Sequence, residues 1–333
     1  MASQVSPGVV IRERDLSTGV LVGVSGLRAG FASSFRSGPV GKITNIGSER
    51  ELIDIFGAPA EANAGDWLVA SEFLRYGGQL SVVRAETGVL NATLDGSAVL
   101  VGSKEDYEAG AGSSEKFIAR TAGADGNNLH VVIVDRGPDF TIVKTGHGLS
   151  VGGTYTDDAA VGHEVVEVVD ANTVRIIQGT AAPTPAAGDT SAAFTNSDWN
   201  ATQIGTTGLT YKEVGPRPGS SAFATERYIT MDEVHVAIVD TSTNTIVERM
   251  TYLSKISDAK SPEGSSIYWK DYVNEFSGYI YAGALTSAEF TTLGEDPGGA
   301  VASYGATSAA PIKIARILKT AGGALSGGTD DYA

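Results

Sequence analysis

Glycine constrains this chain more than any other residue type: 42 of its 333 residues are glycine, nearly twice the ~7% of ordinary proteins. The glycines are scattered among Val, Ile, Thr and Ser, so the sequence predicts many short strands joined by tight turns. At ~100–200 residues per domain, a chain of 333 residues is expected to hold two or three. Hydrophobic residues make up 42% and charged residues 19%, which supports buried cores and argues against wholesale disorder. A formal charge of −15 lacks the basic footprint that neutralises phosphates, so direct nucleic-acid binding is disfavoured. No apolar run approaches the ~18–20 residues of a membrane span, and Met1 to Asp15 shows no basic segment followed by an apolar one. With no cysteine, disulfides, thiolate metal sites and a cysteine nucleophile are excluded.

Residues 1–20 read as an extended arm. Ser6-Pro7-Gly8 is turn chemistry, and an extended Val9-Val10-Ile11-Arg12-Glu13-Arg14 puts Val9 and Ile11 on one side and Val10, Arg12 and Arg14 on the other. Such a segment is either a first strand of its own domain or a strand offered to another molecule.

Residues 21–95 read as a compact α/β piece. Ser48 with Glu51 forms a capping box, Leu52, Ile55 and Phe56 make an apolar stripe, and Gly57 with Pro59 stops the helix. A second helix is expected from Gly65 to Tyr76, with Trp67, Leu68, Ala70 and Leu74 facing one core, followed by a buried strand Leu80 to Arg84.

Residues 96–210 carry fourteen acidic groups against six basic ones. Strand-like runs at 129–134, 140–144, 164–169 and 174–177, with a hairpin connection at Asp170-Ala171-Asn172-Thr173, predict an inserted, antiparallel, β-barrel-like outer domain. Residues 211–333 read as a second α/β domain: a strand over 232–240, its hairpin partner over Thr245 to Leu253, a helix over Glu263 to Phe276 and a strand through Tyr279-Ile280-Tyr281. The expected fold class is therefore α+β and multidomain, with mixed α/β sandwich domains, the inserted β domain and the N-terminal arm. His130 to Asp135 resembles His235 to Asp240, as two buried strands drawn from one β-branched palette would.

The chemistry-bearing residues form no recognisable active site. His130, His147, His163 and His235 have no partner at a metal-binding spacing such as H-x-x-x-H. Gly38-Pro39-Val40-Gly41-Lys42-Ile43 has the wrong glycine spacing for a phosphate loop, and Ile43 stands where Ser or Thr would hold magnesium. Gly23-Val24-Ser25-Gly26 misses the nucleophile elbow by one place. The acidic run Lys104 to Glu108, and the pair Asp157 and Asp158, read as solvated loops. No catalytic residue, cofactor or metal is expected.

Taken together, the short motifs resemble the contractile tail sheath proteins of myovirus-type phages. They are Ser6-Pro7-Gly8-Val9-Val10-Ile11-Arg12-Glu13, Gly38-Pro39-Val40-Gly41-Lys42, Phe56-Gly57-Ala58-Pro59, Phe73 to Gly78 and Val82-Val83-Arg84-Ala85. Gly123-Ala124-Asp125-Gly126-Asn127-Asn128-Leu129 is similar to the family's P-G-x-x-G-N-x-L turn, with Ala122 in place of proline. Tyr252 to Lys255 with Asp258-Ala259-Lys260, and Leu325-Ser326-Gly327-Gly328-Thr329-Asp330, follow in the family's order.

The resemblance implies a non-enzymatic subunit of a helical polymer around the tail tube, part of the virion, assembled in the host cytoplasm and shortening to drive the tube through the host envelope. The implied partners are identical subunits joined by strand exchange through Val9 to Arg14, the tail tube protein, and the baseplate and tail terminator proteins. Neither nucleic-acid binding nor membrane insertion is implied. Family members usually continue past the Gly-Gly-x-Asp motif, whereas this chain stops at Ala333, so a truncated chain or a short relative is expected. A bacterial contractile injection sheath shares these motifs, and the rival of another class is a β-rich receptor- or carbohydrate-binding module. The wide separation of Trp67, Trp199 and Trp269 argues against the latter.

Overall fold

In a computed structural model of the chain, residues 27–283 apart from 86 and 205–206 are described, together with 301, 305–310, 312–314 and 323–330. The arm residues Val9 to Arg14 lie outside the described residues.

The first unit runs β1 (Arg28–Ser33), β2 (Ile43–Ile46), α1 (Glu49–Phe56), α2 (Ala64–Arg75) and β3 (Gln79–Arg84). β3 is central: β1 lies parallel to it, with Arg28 opposite Gln79, and β2 antiparallel, with Ile43 opposite Val83. The start of α1 is set by its cap. Ser48 Oγ accepts the Glu51 N–H at 3.2 Å while the Glu51 carboxylate accepts the Gly47 N–H at 2.9 Å, which satisfies backbone donors that a first turn leaves open. Phe56, Trp67, Leu74 and Val82 pack in the core beneath the helices. Leu68, expected in that core, is 54% exposed. The buried stripe of α2 is Trp67, Ala70, Ser71 and Leu74, and Leu68 stands about 100° round the axis from Trp67.

Next come β4 (Asn91–Thr93), α3 (Lys104–Glu108), β5 (Phe117–Ala122), a single 3-10 turn at Ala124–Asn128, and β6 (Leu129–Val134). The acidic run Lys104 to Glu108 is thus a short helix and not a loop, because Ser103 Oγ caps it by accepting the Asp106 N–H at 3.3 Å.

An antiparallel sheet follows from β7 (Phe140–Val143), β8 (Thr154–Thr156), β9 (Gly162–Asp170), β10 (Thr173–Ile177) and β11 (Thr190–Ala193), in the order β11-β7-β10-β9-β8. The expected hairpin turn at 170–173 joins β9 to β10. The sheet is open, with β11 and β8 as its edges, and not a closed barrel. Its curl still brings the Tyr155 hydroxyl within 3.4 Å of Asp189 Oδ2, across a core of Ile142, Val165, Val174 and Ile176.

The remaining elements are α4 (Asn196–Ala201), α5 (Tyr211–Val214), α6 (Ala222–Thr225), β12 (Ile229–Thr230), β13 (Glu233–Asp240), β14 (Thr245–Ser254), α7 (Trp269–Phe276), β15 (Ile280–Ala282) and β16 (Ile312–Lys313), the last parallel to β12. The helix expected from Glu263 starts only at Trp269, because residues 260–266 close a turn with Lys260 bridged to Ser266.

β13 lies between β14 and β6, and β5 between β15 and β4. Residues 96–210 therefore contribute strands to three sheets. The two similar segments are neighbours: β6 runs antiparallel to β13 with Val132 opposite Ala237. Val131, Ile133, Val236 and Ile238 enter one core, and Val132, Val134, Ala237 and Val239 enter another on the opposite face. Side chains that alternate between two buried faces explain why both strands read as unbroken β-branched runs.

Candidate functional site

The four histidines are engaged in structure. His163 Nε2 lies 3.3 Å from Asp157 Oδ2, and its Nδ1 accepts the Gly179 N–H at 3.0 Å. His147 spans the Asp170 carbonyl and the Leu149 N–H in the same way. With Nδ1 occupied, neither ring has a lone pair free to act as a base. His235 bridges the Pro216 carbonyl at 2.6 Å and the Tyr252 N–H at 3.0 Å, while His130 sits on β6 opposite Ala324, its pKa lowered by burial.

Asp157, expected in a solvated loop, is buried. Its carboxylate accepts from the Thr184 and Val161 amides, both at 2.8 Å, as well as from His163, and the Thr184 bond leads the causes that hold its pKa below the usual carboxylate value. Among the described residues no group of three His, Cys, Asp or Glu side chains could hold a metal ion, and no helix is long and apolar enough to cross a membrane.

What the fold assembles instead is a junction of motifs far apart in sequence. Residues 323–330 lie as a strap between β4 and β6, with Ala324 bridged to His130, Ser326 to Thr93 and Thr329 to Leu90. Leu325 enters the main core beside Phe117, Val131 and Val236. The turn at 124–128 reads the strap directly. The Asn127 side-chain amide donates to the Gly328 carbonyl and accepts the Gly328 N–H, both at 2.9 Å, and the Ala124 N–H donates to Asp330 Oδ1 at 2.9 Å.

The glycines follow from that closeness. A Cβ on Gly328 would stand 2.4 Å from the Gly123 carbonyl oxygen, and one on Gly123, at φ 133°, would stand 2.6 Å from Asp330 Oδ1. Gly328 has no room for a side chain against that backbone oxygen, and Gly123 has a backbone that L-residues avoid.

The first unit is anchored at the same place. Arg84, fully buried at the end of β3, donates to the Ala122 carbonyl at 2.9 Å and the Gly38 carbonyl at 3.2 Å. Arg36 forms a bidentate pair with Asp125, its Nη2 at 2.6 Å from Oδ1, although half-exposed pairs contribute little stability. The glycine of Gly38-Pro39 is a packing glycine, since a Cβ there would strike the Phe56 ring. Lys42, in the position of a phosphate-loop lysine, pairs with Asp106 at 3.0 Å, and this holds the Asp106 carboxyl below its ordinary value.

Two further polar knots were not legible in the sequence. Lys255 Nζ meets Asp135 Oδ2 at 2.6 Å and the Ile314 carbonyl at 2.7 Å, with both side chains buried. Arg217, its pKa lowered to about 10 chiefly by burial, donates to the carbonyls of Arg136, Pro138 and Phe194. It thereby ties together the entry to and the exit from the β7–β11 sheet. Lys255 sits in the Tyr252-Leu253-Ser254-Lys255 motif, the one signal that singled it out; nothing in the local sequence marked Arg217.

The chain as a whole is similar in sequence to known proteins. The chain is 25% identical over 362 aligned positions to the tail sheath protein of Salmonella phage ViI, a match that covers 94% of this chain and 54% of that protein. It is 33% identical over 106 residues to the tail sheath protein of Vibrio phage KVP40, covering 32% of this chain and 15% of the relative. The chain is related to phage tail sheath proteins. A shorter match, 35% identical over 80 residues, is to the tail sheath protein of Enterobacteria phage T4, covering 24% of this chain and 12% of the relative. The chain thus spans about half of the Salmonella phage protein, and far less of the other two is matched. No family model matches the chain. Among solved structures, the sheath tail protein Lin1278 from Listeria innocua aligns over 53% of this chain and 37% of its own, at 17% identity and a TM-score of 0.22. All three relatives bear the name tail sheath protein.

Proposed function

We propose that the chain polymerises as a subunit of a phage contractile tail sheath, wound helically around a tail tube, and that shortening of the polymer drives the tube through the host envelope. The observation that carries this reading is the junction at Asn127 and Gly328, where motifs ordered as in tail sheath proteins fold onto one another, in a chain similar over 94% of its length to such a protein. A sheath subunit must turn as a body without coming apart. Buried polar groups spent on joining its parts serve that end, whereas an enzyme would leave some aimed at a substrate.

In this reading Val9 to Arg14 are a strand donated to a neighbouring subunit. Pairing about six residues gives ~5 backbone hydrogen bonds at ~1 kcal/mol each, and burying Val9 and Ile11 adds roughly 1.5–3 kcal/mol apiece. Ordering six backbones costs on the order of 6–12 kcal/mol. One arm alone holds weakly, while a lattice in which every subunit gives and receives one gains from high effective concentration.

The acidic outer body is assigned to the β7–β11 sheet, residues 140–193, a narrower span than 96–210. Supporting this, β5 and β6 pair with β15 and β13. The tail tube, baseplate and terminator proteins are its proposed partners, and the virion its location.

Negative-stain microscopy of the purified chain tests the function: helical tubes or sheath-like fragments are expected, and discrete compact particles would favour a β-rich binding module. Deleting residues 2–16 should leave a folded monomer that no longer polymerises, and regular tubes from that deletion would refute the donated strand.

A further inference from the structure

The β13–β14 pairing shifts register at two points, between Val234 and Val236 and between Ile238 and Val239, and the first is the one that involves a histidine. Val234 faces Leu253 and Val236 faces Met250, so His235 alone stands against two residues, Thr251 and Tyr252. This is a β-bulge, and its residue Tyr252 has φ 59°, in the left-handed region that a bulge ordinarily fills with glycine. A tyrosine is held there under strain.

What holds it is the His235 ring. The ring is fully buried and stands edge-on to Tyr252, with centroids 5.0 Å apart. Nε2 donates to the Pro216 carbonyl, so Nδ1 carries the lone pair that accepts the Tyr252 N–H. A second proton can enter only at Nδ1, where it would confront that N–H.

The surroundings do not reward the charge. Of the groups packed against the ring, Pro216 from the loop after α5 and Val234 from β13 present neutral carbonyls, Tyr252 from β14 presents its amide, and Asp135 follows β6. Asp135 is already neutralised by Lys255 at 2.6 Å. At the start of β13, Glu233 is turned to the Gly219 N–H, and Asp232 just before it to Ser221. His163 differs here, because its Nε2 faces the Asp157 carboxylate.

We propose that His235 is an acid-released latch: neutral, it pins the strained Tyr252 bulge shut, and on taking a solvent proton at Nδ1 it releases the Tyr252 end of β14 while the β13–β6 pairing stays intact. Burial lowers the pKa of His235 against the smaller opposing pull of the Pro216 and Val234 carbonyls and Asp135. The folded chain thus refuses a proton that the unfolded chain accepts, so the latch is secure above the ordinary histidine value of about 6.5 and is lost as the pH falls below it. Tyr252 is half-exposed, and its release changes the surface this edge strand presents.

The test is residue-resolved amide exchange on the full chain at pH 7.5 and 5.5, corrected for intrinsic rates. Protection at Tyr252 is expected to fall by up to about tenfold on acidification, the limit set by an open-state histidine value of about 6.5, while Ala237 and Ile238 hold theirs. Unchanged protection at Tyr252, or a parallel loss at Ala237 that signals global unfolding, would overturn the latch. His235→Asn places a non-titrating oxygen near Nδ1 and should make protection independent of pH. Should that variant not fold, Tyr252→Gly, which takes the left-handed backbone without strain, should shrink the acid effect, and an undiminished fall in it would overturn the proposal.

Discussion

Replacing Asn127 with alanine isolates what the junction contributes. The strap 323–330 gains backbone hydrogen bonds to Leu90, Thr93, Leu129 and Val131, side-chain bonds from Asn127, and those made by Asp330 and Thr329. That is about ten bonds at a net ~1 kcal/mol each, to which burying Leu325 adds roughly 2 kcal/mol. Ordering eight residues costs on the order of 8–16 kcal/mol, so the strap is held by a margin of a few kcal/mol at most. Asn127→Ala removes two bonds and leaves the buried Gly328 amide and carbonyl without their partner, a loss of about 2–4 kcal/mol. The variant should fold, yet its strap should detach. Amide exchange read by mass spectrometry over 323–330 should show protection falling by about thirtyfold or more, while β13 keeps its own. Leu325→Ala alone is expected to cost about 2–5 kcal/mol, and in the double variant the two losses should sum to less than their separate values, because a strap already detached cannot be lost again. Wild-type protection of Leu325 and Ser326 in Asn127→Ala would refute the reasoning, as would strict additivity.

Gly328→Ala should displace the strap without touching Asn127, since its methyl meets a backbone oxygen 2.4 Å away; a crystal structure with the strap in place would contradict this. Lys255→Met leaves Asp135 buried without its cation and should cost about 3–5 kcal/mol in urea unfolding, with Asp135→Asn on the same background recovering part of the loss. Glu233 has its pKa raised, first by burial, so its ionised form is the disfavoured one in the fold and the penalty grows as the pH rises through and above the usual glutamate range. Glu233→Gln should therefore raise the melting temperature at pH 7 and change it little at pH 4. Excising residues 140–193, with a short Gly-Ser bridge between Asp139 and Phe194, should spare polymerisation, and loss of tubes in the microscope would show that this sheet makes lattice contacts.

Elements whose cause is local were legible in the sequence. The cap at Ser48, the hairpin turn at 170–173 and the β13–β14 pair each depend on residues within a few positions of one another. Legibility failed where a distant neighbour decides. Asp157 looks solvated by its own surroundings, and only the Thr184 amide and His163 make it a buried acceptor. Leu68 sits among core residues in the sequence and faces outward because the core of the first unit lies on the other side of α2. Within the acidic stretch 96–210 the sequence did not show that β5 and β6 pair with β15 and β13, because charge composition is additive along a chain and strand pairing is not.

From composition and motif order alone came a glycine-rich α+β chain and its likeness to tail sheath proteins. Both rest on residue types and spacings, which the chain carries whether folded or not. The tertiary structure alone decided that Asn127 reads Gly328, that Lys255 neutralises Asp135, and that His235 closes a strained bulge at Tyr252. The first two are contacts between groups far apart along the chain, and the third depends on a register shift inside a hairpin; all are made only once backbone ordering has been compensated by burial, and no local pattern encodes which group will be there.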